Sequence, residues 1–445
     1  MRKAYNFRLY PNKVQRETLD SIFSFCQFFY NCALEERILY YKTFGKGIGY
    51  NKQSSYLPEI KKLFPQETAN INGQVLQQIL KHLDKAYKNF FRRIKKGMKE
   101  PGFPRFKSKD RFRSICFPQV NHDLSSSQGK GGIIRRANNK LYVSGLPGEL
   151  KVKWHRPLQG RVKQALIIKK GEQYYVSFAC EDVATKLLPQ TNKSVGIDLG
   201  LKAFITMDDG TTFHHPKPYK TAKEKLALLN QKLARKQKGS KNRRRAKNQL
   251  TRAHQKIANI RDDWQHKTAN HLIKEFDDIV VEDLNIKNMM SKEEKKKKQA
   301  VAKAAGTFHI EVKNENISDA AWGNFVAKLT YKAESAGRNI IQVDPRNTSK
   351  MCCNCSNIKR GLALSERTYH CDACGINIDR DLNAAINIRG RGGLETTSIL
   401  QRHGIGLATS LTDVSEANKL LLTIHNMDTD ERNIMMIEPA VNLAF

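Results

Sequence analysis

Residues 348–388 read TSKMCCNCSNIKRGLALSERTYHCDACGINIDRDLNAAINI. The stretch holds two Cys-x-x-Cys pairs, Cys352/Cys355 and Cys371/Cys374, with fifteen residues between them. Each such turn can offer two sulfurs to one ion, and two turns complete the tetrahedral shell that zinc takes. A shell of four cysteines leaves no position for water, so the zinc would be structural. The spacer, 356–370, has the length of a zinc-ribbon hairpin. Cys353 competes with Cys352 for the ion, but only Cys352 stands three positions before Cys355. A redox pair is the rival use of these cysteines. Directly afterwards Asp379-Arg380-Asp381 leads into DLNAAINI, where Leu382, Ala385 and Ile386 fall on one helical face. A metal knuckle thus delivers a carboxylate to the start of a helix.

Two further acids stand in apolar runs far upstream. Asp198 lies in VGIDLG (195–200), and Glu282 ends DIVVE (278–282). Burying an unpaired carboxylate is costly, although an acid at a strand end can also cap a loop or pair with lysine. Adjacent strands can present Asp198 and Glu282 at one sheet edge, with a third acid from a helix start completing the set. Hard oxygen ligands select Mg²⁺ or Mn²⁺. Two such ions, roughly 3.5–4 Å apart, activate water and stabilise the leaving oxygen of a phosphodiester. Without cations three carboxylates repel one another. Asp379, Asp381 and Asp283 compete for the third position. Neighbours on a strand face opposite ways, so Asp283 should point away from Glu282. Asp381 is the better-placed ligand, and Asp379 reads as a cap or a partner of Arg380.

The chain has 445 residues, enough for two to four domains. Lys and Arg total 78 against 43 Asp and Glu, a net charge of +35. Like charges repel in a compact state, so this excess points to a polyanionic partner, nucleic acid before a membrane surface. No apolar run is long enough to span a membrane, and MRKAYNFRLYPNKV has no apolar signal core. Nine cysteines, an odd count with four in knuckle spacing, indicate a reducing compartment.

Residues 3–10 alternate as a strand, and 12–39 carry a helical stripe of Val14, Leu19, Ile22, Phe23, Phe25 and Phe29. A second helix is expected from 73 to about 96, with Lys88, Arg92 and Arg93 among the cations on its far side. These run into KKGMKEPGFPRFKSKDRFR, where Arg105 and Lys107 alternate with Phe103, Phe106 and Phe112. Cations interleaved with aromatics suit phosphate neutralisation and base stacking. Short alternating segments over 114–182 read as an antiparallel barrel or sandwich, which strand 3–10 joins, making the helical segment an insertion. Residues 221–275 read as two helices broken near 238–241, with Arg243 and Arg244 in a strongly basic arm. The charged segment 286–317, with EEKKKK at 293–298, reads as a loop. Residues 396–445 hold no motif and read as peripheral or partly disordered.

The motifs VGIDLGLKAF (195–204), IVVEDLNIKNM (279–289), DAAWGNFVAKLTYKAESAG (319–337), TSKMCCNC (348–355), YHCDACG (369–375) and DRDLNAAINI (379–388) resemble the TnpB family. FRLYPNKVQ (7–15), AYKNFFRRIKKG (86–97) and GFPRFKSK (102–109) match as well, so the likeness runs in order from about residue 3 to 390. TnpB proteins are insertion-sequence-encoded, RNA-guided nucleases related to type V CRISPR effectors. The resemblance implies an α+β multidomain chain: a RuvC-like RNase H fold with a zinc-ribbon insertion, plus an N-terminal wedge β-barrel holding an inserted helical recognition domain.

It implies the first barrel strand at 1–11, the helical domain at 12–100 and the rest of the barrel at 101–190. The nuclease domain would occupy 191–347, including the basic hairpin 221–275, and 378–395. The zinc ribbon, a target-nucleic-acid-binding insertion, would occupy 348–377, with a tail at 396–445. Asp198, Glu282 and Asp381 fall on the family's catalytic acids, which bind Mg²⁺. Tyr50, Ser54, Gln74 and Gln77 fall where relatives read a short motif flanking the target; glutamine can bond adenine's edge in two places. The implied partners are a transposon-derived guide RNA and double-stranded DNA, with one chain per RNA in a bacterial or archaeal cytoplasm. Lys350 departs from the usual Gln of TSQ.

The reading is therefore a metal-dependent, RNA-guided DNA endonuclease. A guided but nuclease-inactive DNA-binding repressor is one alternative, which substitution of any of the three acids would favour. A transposase or resolvase with the same nuclease fold is another, though such an enzyme needs no RNA-binding barrel.

Overall fold

The computed structural model describes residues 1–121, 132–135, 138–289, 314–363 and 366–404. Most of the charged loop expected at 286–317, and the tail beyond 404, lie outside the described residues. The architecture is mixed α+β, as expected, and divides into two compact units: residues 1–185 with 239–252, and 186–238 with 253 onward.

The first unit begins with strand β1 (Lys3–Tyr10), then helix α1 (Lys13–Phe44). Asn12 caps α1 reciprocally with Gln15: each side chain accepts from the other's backbone N–H, at 2.8 and 3.1 Å. Gln15 also donates to the carbonyls of Pro147 and Glu149, fixing the helix start to the strand connection beyond. Gly45, in the left-handed conformation at φ 64°, ends the helix. Three short helices follow, α2 (Tyr50–Ser55), α3 (Leu57–Leu63) and α4 (Pro65–Thr68), where no helix was expected. Helix α5 (Gly73–Lys95) then buries Val75, Leu76, Ile79, Leu80 and Leu83 and turns its cations outward.

The remaining strands of this unit are β2 (Ser114–Phe117), β3 (Val120–Asn121), β4 (Ile133–Arg135), β5 (Lys140–Val143), β6 (Glu149–Lys153), β7 (Arg161–Lys170) and β8 (Gln173–Glu181). They form one sheet ordered β2-β7-β8-β1-β6-β5-β4-β3. Strand β1 lies between β8 and β6, antiparallel to both. The five helices are thus an insertion between the first and second strands of the sheet. Helix and strand side chains share one core, in which Phe7, Leu19, Leu34, Leu76, Leu83, Tyr174 and Phe178 are almost wholly buried.

The second unit is built on β9 (Ser194–Asp198), β10 (Ile205–Met207), β11 (Thr212–Phe213), β12 (Asp278–Glu282) and β13 (Asn339–Val343). Its sheet order is β11-β10-β9-β12-β13. Strands β9 to β11 form an antiparallel meander, whereas β12 runs parallel to both β9 and β13. Helix α6 (Pro218–Ala234) and helix α7 (Lys241–Glu275) make the expected arm. Gly239–Arg252 group with the first unit, whereas the sequence reading put all of 221–275 in the nuclease domain. There Arg252 pairs with Glu172 at 2.6 Å and Lys247 bonds Asp110.

The chain continues through α8 (Ile286–Met289), α9 (Asn314–Ala320) and α10 (Trp322–Ala336), the last two separated at Ala321 by a left-handed backbone (φ 52°). Trp322, Phe325 and Leu329 of α10 pack with Val195, Ile197, Ile279 and Val281 on one face of the sheet. The other face receives α11 (Arg380–Arg391), which is followed by α12 (Thr397–Arg402). Between β13 and α11 lie the cysteine turns and a hairpin of β14 (Thr368–His370) and β15 (Asn377–Asp379).

Candidate active site

Asp198 ends β9 and Glu282 ends β12. The two strands are parallel neighbours paired Val281 to Ile197, so the next register position sets Glu282 beside Asp198. Residues two apart on a strand share a face. Asp198 therefore faces the same way as Gly196, and Glu282 the same way as Val280. Both of those glycine and valine positions abut α11: a Cβ on Gly196 would lie 2.3 Å from the carbonyl oxygen of Ala385, and one on Gly392 would lie 2.7 Å from Val280.

Helix α11 runs antiparallel to β9, and that direction delivers the third acid. Arg389, near its C-terminal end, donates to the carbonyl of Ser194 at 2.5 Å, and the Ala385 carbonyl and the Arg389 backbone both lie over Gly196. Asp381, in the first turn of the helix, therefore lies toward the end of β9 that carries Asp198, near enough for its charge to act on that residue. Gly196 permits this close approach because it has no side chain to hold the helix off. Asp379 caps α11, accepting from the backbone N–H of Asp381 and Leu382 at 2.9 and 3.1 Å, which is the role expected for it.

The electrostatics reflect the convergence. Burial first, then the charges of Glu282 and Asp381, push Asp198 up to about 8. Arg380 opposes that shift. Glu282 is only 8% exposed, and burial raises its pKa against the hydrogen bond it accepts from Thr348. Asp381 is held by cations instead, 3.5 Å from Arg380 and 3.8 Å from Arg367. Among the described residues the three acids do not form a set of mutually close ligand atoms. A half-buried Asp and a buried Glu with the acid-bearing helix start beside them are a chemically suitable oxygen donor set for a hard divalent ion.

The four cysteines do form a tight set, all Sγ atoms within 4.8 Å of one another. Cys352 and Cys374 are 3.6 Å apart, and Cys355 and Cys371 3.5 Å. Tetrahedral Zn–S bonds place sulfurs about 3.8 Å apart, so the cage fits a structural zinc ion. Cys371 is depressed to about 7: burial opposes the shift, but the backbone N–H groups of Cys374 and Ala373 outweigh it. Cys353 stays out of the cage, its backbone N–H donating to Asn383.

Three residues of consequence escaped the sequence reading. Thr348 is 2% exposed and donates its hydroxyl to Glu282 at 2.6 Å. Asn383 and Asn387, one turn apart on α11, both donate to the carbonyl of Met351, at 2.8 and 2.7 Å. Asn387 also donates to the carbonyl of Thr348 at 2.9 Å. The i, i+4 asparagines beside a zinc knuckle were the available signal; for Thr348 there was none.

The expected nucleic-acid contacts divide. Gln77, Lys88, Arg92, Arg105 and Arg244 are exposed, though Lys88 also pairs with Asp84 at 3.0 Å. Arg93 is spent internally, donating to the carbonyls of Pro101 and Gly102. Lys107 places its ammonium 4.1 Å from the centre of the Tyr30 ring and 5.4 Å from that of Phe112. Tyr50 packs on the core beneath Lys81, Ser54 bonds the carbonyl of Asn51, and Arg243 is partly buried. Gln74 keeps a buried Oε1 with no partner among the described residues.

Three family descriptions match this chain: "Probable transposase" over residues 177–293, "Cas12f1-like, TNB domain" over 322–388 and "Helix-turn-helix domain" over 1–46. The last span contains one strand and one long helix rather than two helices about a turn. A Streptomyces pristinaespiralis protein bearing the name of an RNA-guided DNA endonuclease is 31% identical over 399 residues, covering 88% of this chain and 90% of that relative. The Escherichia coli K12 protein InsQ, named likewise, is 30% identical over 400 residues, covering 88% and 92%. A solved structure titled as the Cas12f1-sgRNA-target DNA complex aligns at 17% identity and a TM-score of 0.30, covering 87% of this chain and 98% of that one. A four-cysteine cage that fits a structural metal, in a chain aligned over most of its length with proteins named as DNA endonucleases, marks a nucleic-acid-acting class of protein. The chain belongs to the TnpB family.

Among the described residues no helix is long and apolar enough to cross a membrane.

Proposed function

We propose that the chain is an RNA-guided DNA endonuclease that cuts phosphodiester bonds at the carboxylate cluster of Asp198, Glu282 and Asp381. The single observation supporting this reading is the pairing of β9 and β12 up to Ile197 and Val281, one position before Asp198 and Glu282, with the charge of Asp381 acting on Asp198 from the first turn of α11. Relatives bearing that activity in their names align over nearly nine-tenths of the chain.

In this reading the five-stranded sheet is the RuvC-like RNase H core, with three antiparallel and two parallel strands in the order 3-2-1-4-5. The cysteine turns form the zinc-ribbon insertion at 348–377, and 378–395 returns to the nuclease core. The eight-stranded sheet is the wedge barrel, and the helices between β1 and β2 are the recognition insert. Base pairing by the guide would select the target while the protein reads shape and a short flanking motif. Tyr50, Ser54, Gln74 and Gln77 remain the assignment for that motif.

Divalent cations, when bound, supply an activated water and charge neutralisation at the leaving oxygen. The chain's own part is to hold the ligands. Sheet pairing fixes Glu282 and Asp198, the Asp379 cap orients the first turn of α11, and Thr348 fixes one oxygen of Glu282. Arg380 lies 3.5 Å from Asp381 and offsets negative charge at Asp198.

The test is to purify the protein from cells carrying its native locus and sequence the RNA that accompanies it. Retargeting that RNA should retarget Mg²⁺-dependent DNA cleavage. Guided binding without cleavage would favour the repressor alternative, against which the presence of all three acids argues. Cleavage indifferent to the RNA would overturn the proposal.

A further inference from the structure

The hydroxyl of Thr348 joins two parts of the molecule that the chemistry otherwise treats separately. Thr348 stands four positions before the first cage cysteine, and its side chain reaches Glu282. Both partners are buried, Thr348 at 2% and Glu282 at 8% exposure. The contact is 2.6 Å, shorter than the 3.2 Å to the alternative acceptor, the carbonyl of Pro345. A threonine hydroxyl has one proton to give, so this geometry commits it to Oε1 of Glu282. Oε2 is then left for a cation.

The threonine is itself held from the cage side. Asn387 grips its carbonyl, and the same amide together with Asn383 grips Met351, the residue before Cys352. Asn383 also accepts from the backbone of Cys353, and Tyr369 donates to the carbonyl of Lys350. The whole turn from Thr348 to Cys353 is thus tied to α11 and the ribbon hairpin.

We propose that Thr348 is a positioning residue for Glu282, anchored by the cysteine-cage turn, and that it sets the affinity of the carboxylate cluster for divalent cations. The proposal rests on the reading of Asp198, Glu282 and Asp381 as cation ligands. Closing the cage holds the turn, the turn holds the threonine, and the threonine holds one oxygen of a ligand. A carboxylate fixed in one rotamer binds an ion without first losing that freedom. Thr348 needs no contact with substrate to act in this way.

Thr348→Val keeps the shape and removes the donor, and Thr348→Ser restores the donor. The wild type and both variants are compared as full chains with bound RNA for the Mg²⁺ concentration giving half-maximal cleavage. The full chains without nucleic acid are compared for zinc content and for the rise in melting temperature on adding Mn²⁺. A hydrogen bond to a charged group is strong enough for the valine variant to need about ten-fold more Mg²⁺. Its Mn²⁺-induced stabilisation should shrink, its zinc content should stay at the wild-type level, and the serine variant should match the wild type in all three. An unchanged Mg²⁺ midpoint and Mn²⁺ response in Thr348→Val overturns the role of Thr348, as does a serine variant that restores neither. Asp198→Ala is assayed alongside: if it still cuts, the ligand reading falls and this proposal falls with it.

Discussion

Asp198 is the residue on which the site's titration turns. Its pKa, pushed up to about 8 by burial and by two neighbouring carboxylates, means that it holds a proton at neutral pH in the cation-free protein. A raised pKa gives stability that is complete below the unfolded value and is lost as pH rises through the folded one. The cation-free protein should therefore lose stability progressively from about pH 4 to about pH 8 and level off above it, and added Mg²⁺ should restore stability at the upper end by neutralising the ionised carboxylate. Thermal unfolding across that range, with and without Mg²⁺, checks the sign. The sequence made Asp198 and Glu282 legible because an acid inside Val, Ile and Gly runs demands a reason to be buried. It could not reveal Thr348, since a threonine opening a turn looks like any other. Nor could it separate Lys107, whose charge is spent over Tyr30 and Phe112, from Arg105, which is exposed.

Among the elements, α11 has the strictest position. Its packing on β9 depends on Gly196, where an added methyl would meet the backbone carbonyl of Ala385. Backbone cannot yield as a flexible side chain can, so Gly196→Ala should destabilise the protein by about 2 kcal/mol or more, read by denaturant unfolding. The cage makes a second prediction at this scale. Cys371→Ser should lower zinc content and melting temperature together, because cage closure is part of folding this segment; full zinc stoichiometry in the variant would contradict the assignment. Long periodic helices such as α1 and α5 were readable from their stripes. The short helices α2 to α4 were not, because four to seven residues complete too few turns for a period to emerge. The left-handed Ala321, which splits α9 from α10, likewise leaves no mark in apolar spacing.

Across the whole molecule, the charge of +35 is the dominant feature, and two units contribute to it. RNA affinity should fall steeply with salt through counterion release. Raising salt from roughly 50 to 200 mM should cost about a thousand-fold if six or more phosphates are neutralised, as measured by filter binding. The division into units was only partly legible: a helix that changes partners along its length, as α7 does at Arg252, carries one continuous periodicity. The most direct measurement concerns the meeting of three acids separated by 84 and 99 positions in sequence. Asp198→Ala should cut guided DNA at least about a thousand-fold more slowly while binding the same target with unchanged affinity. Cleavage at the wild-type rate by that variant would contradict the account.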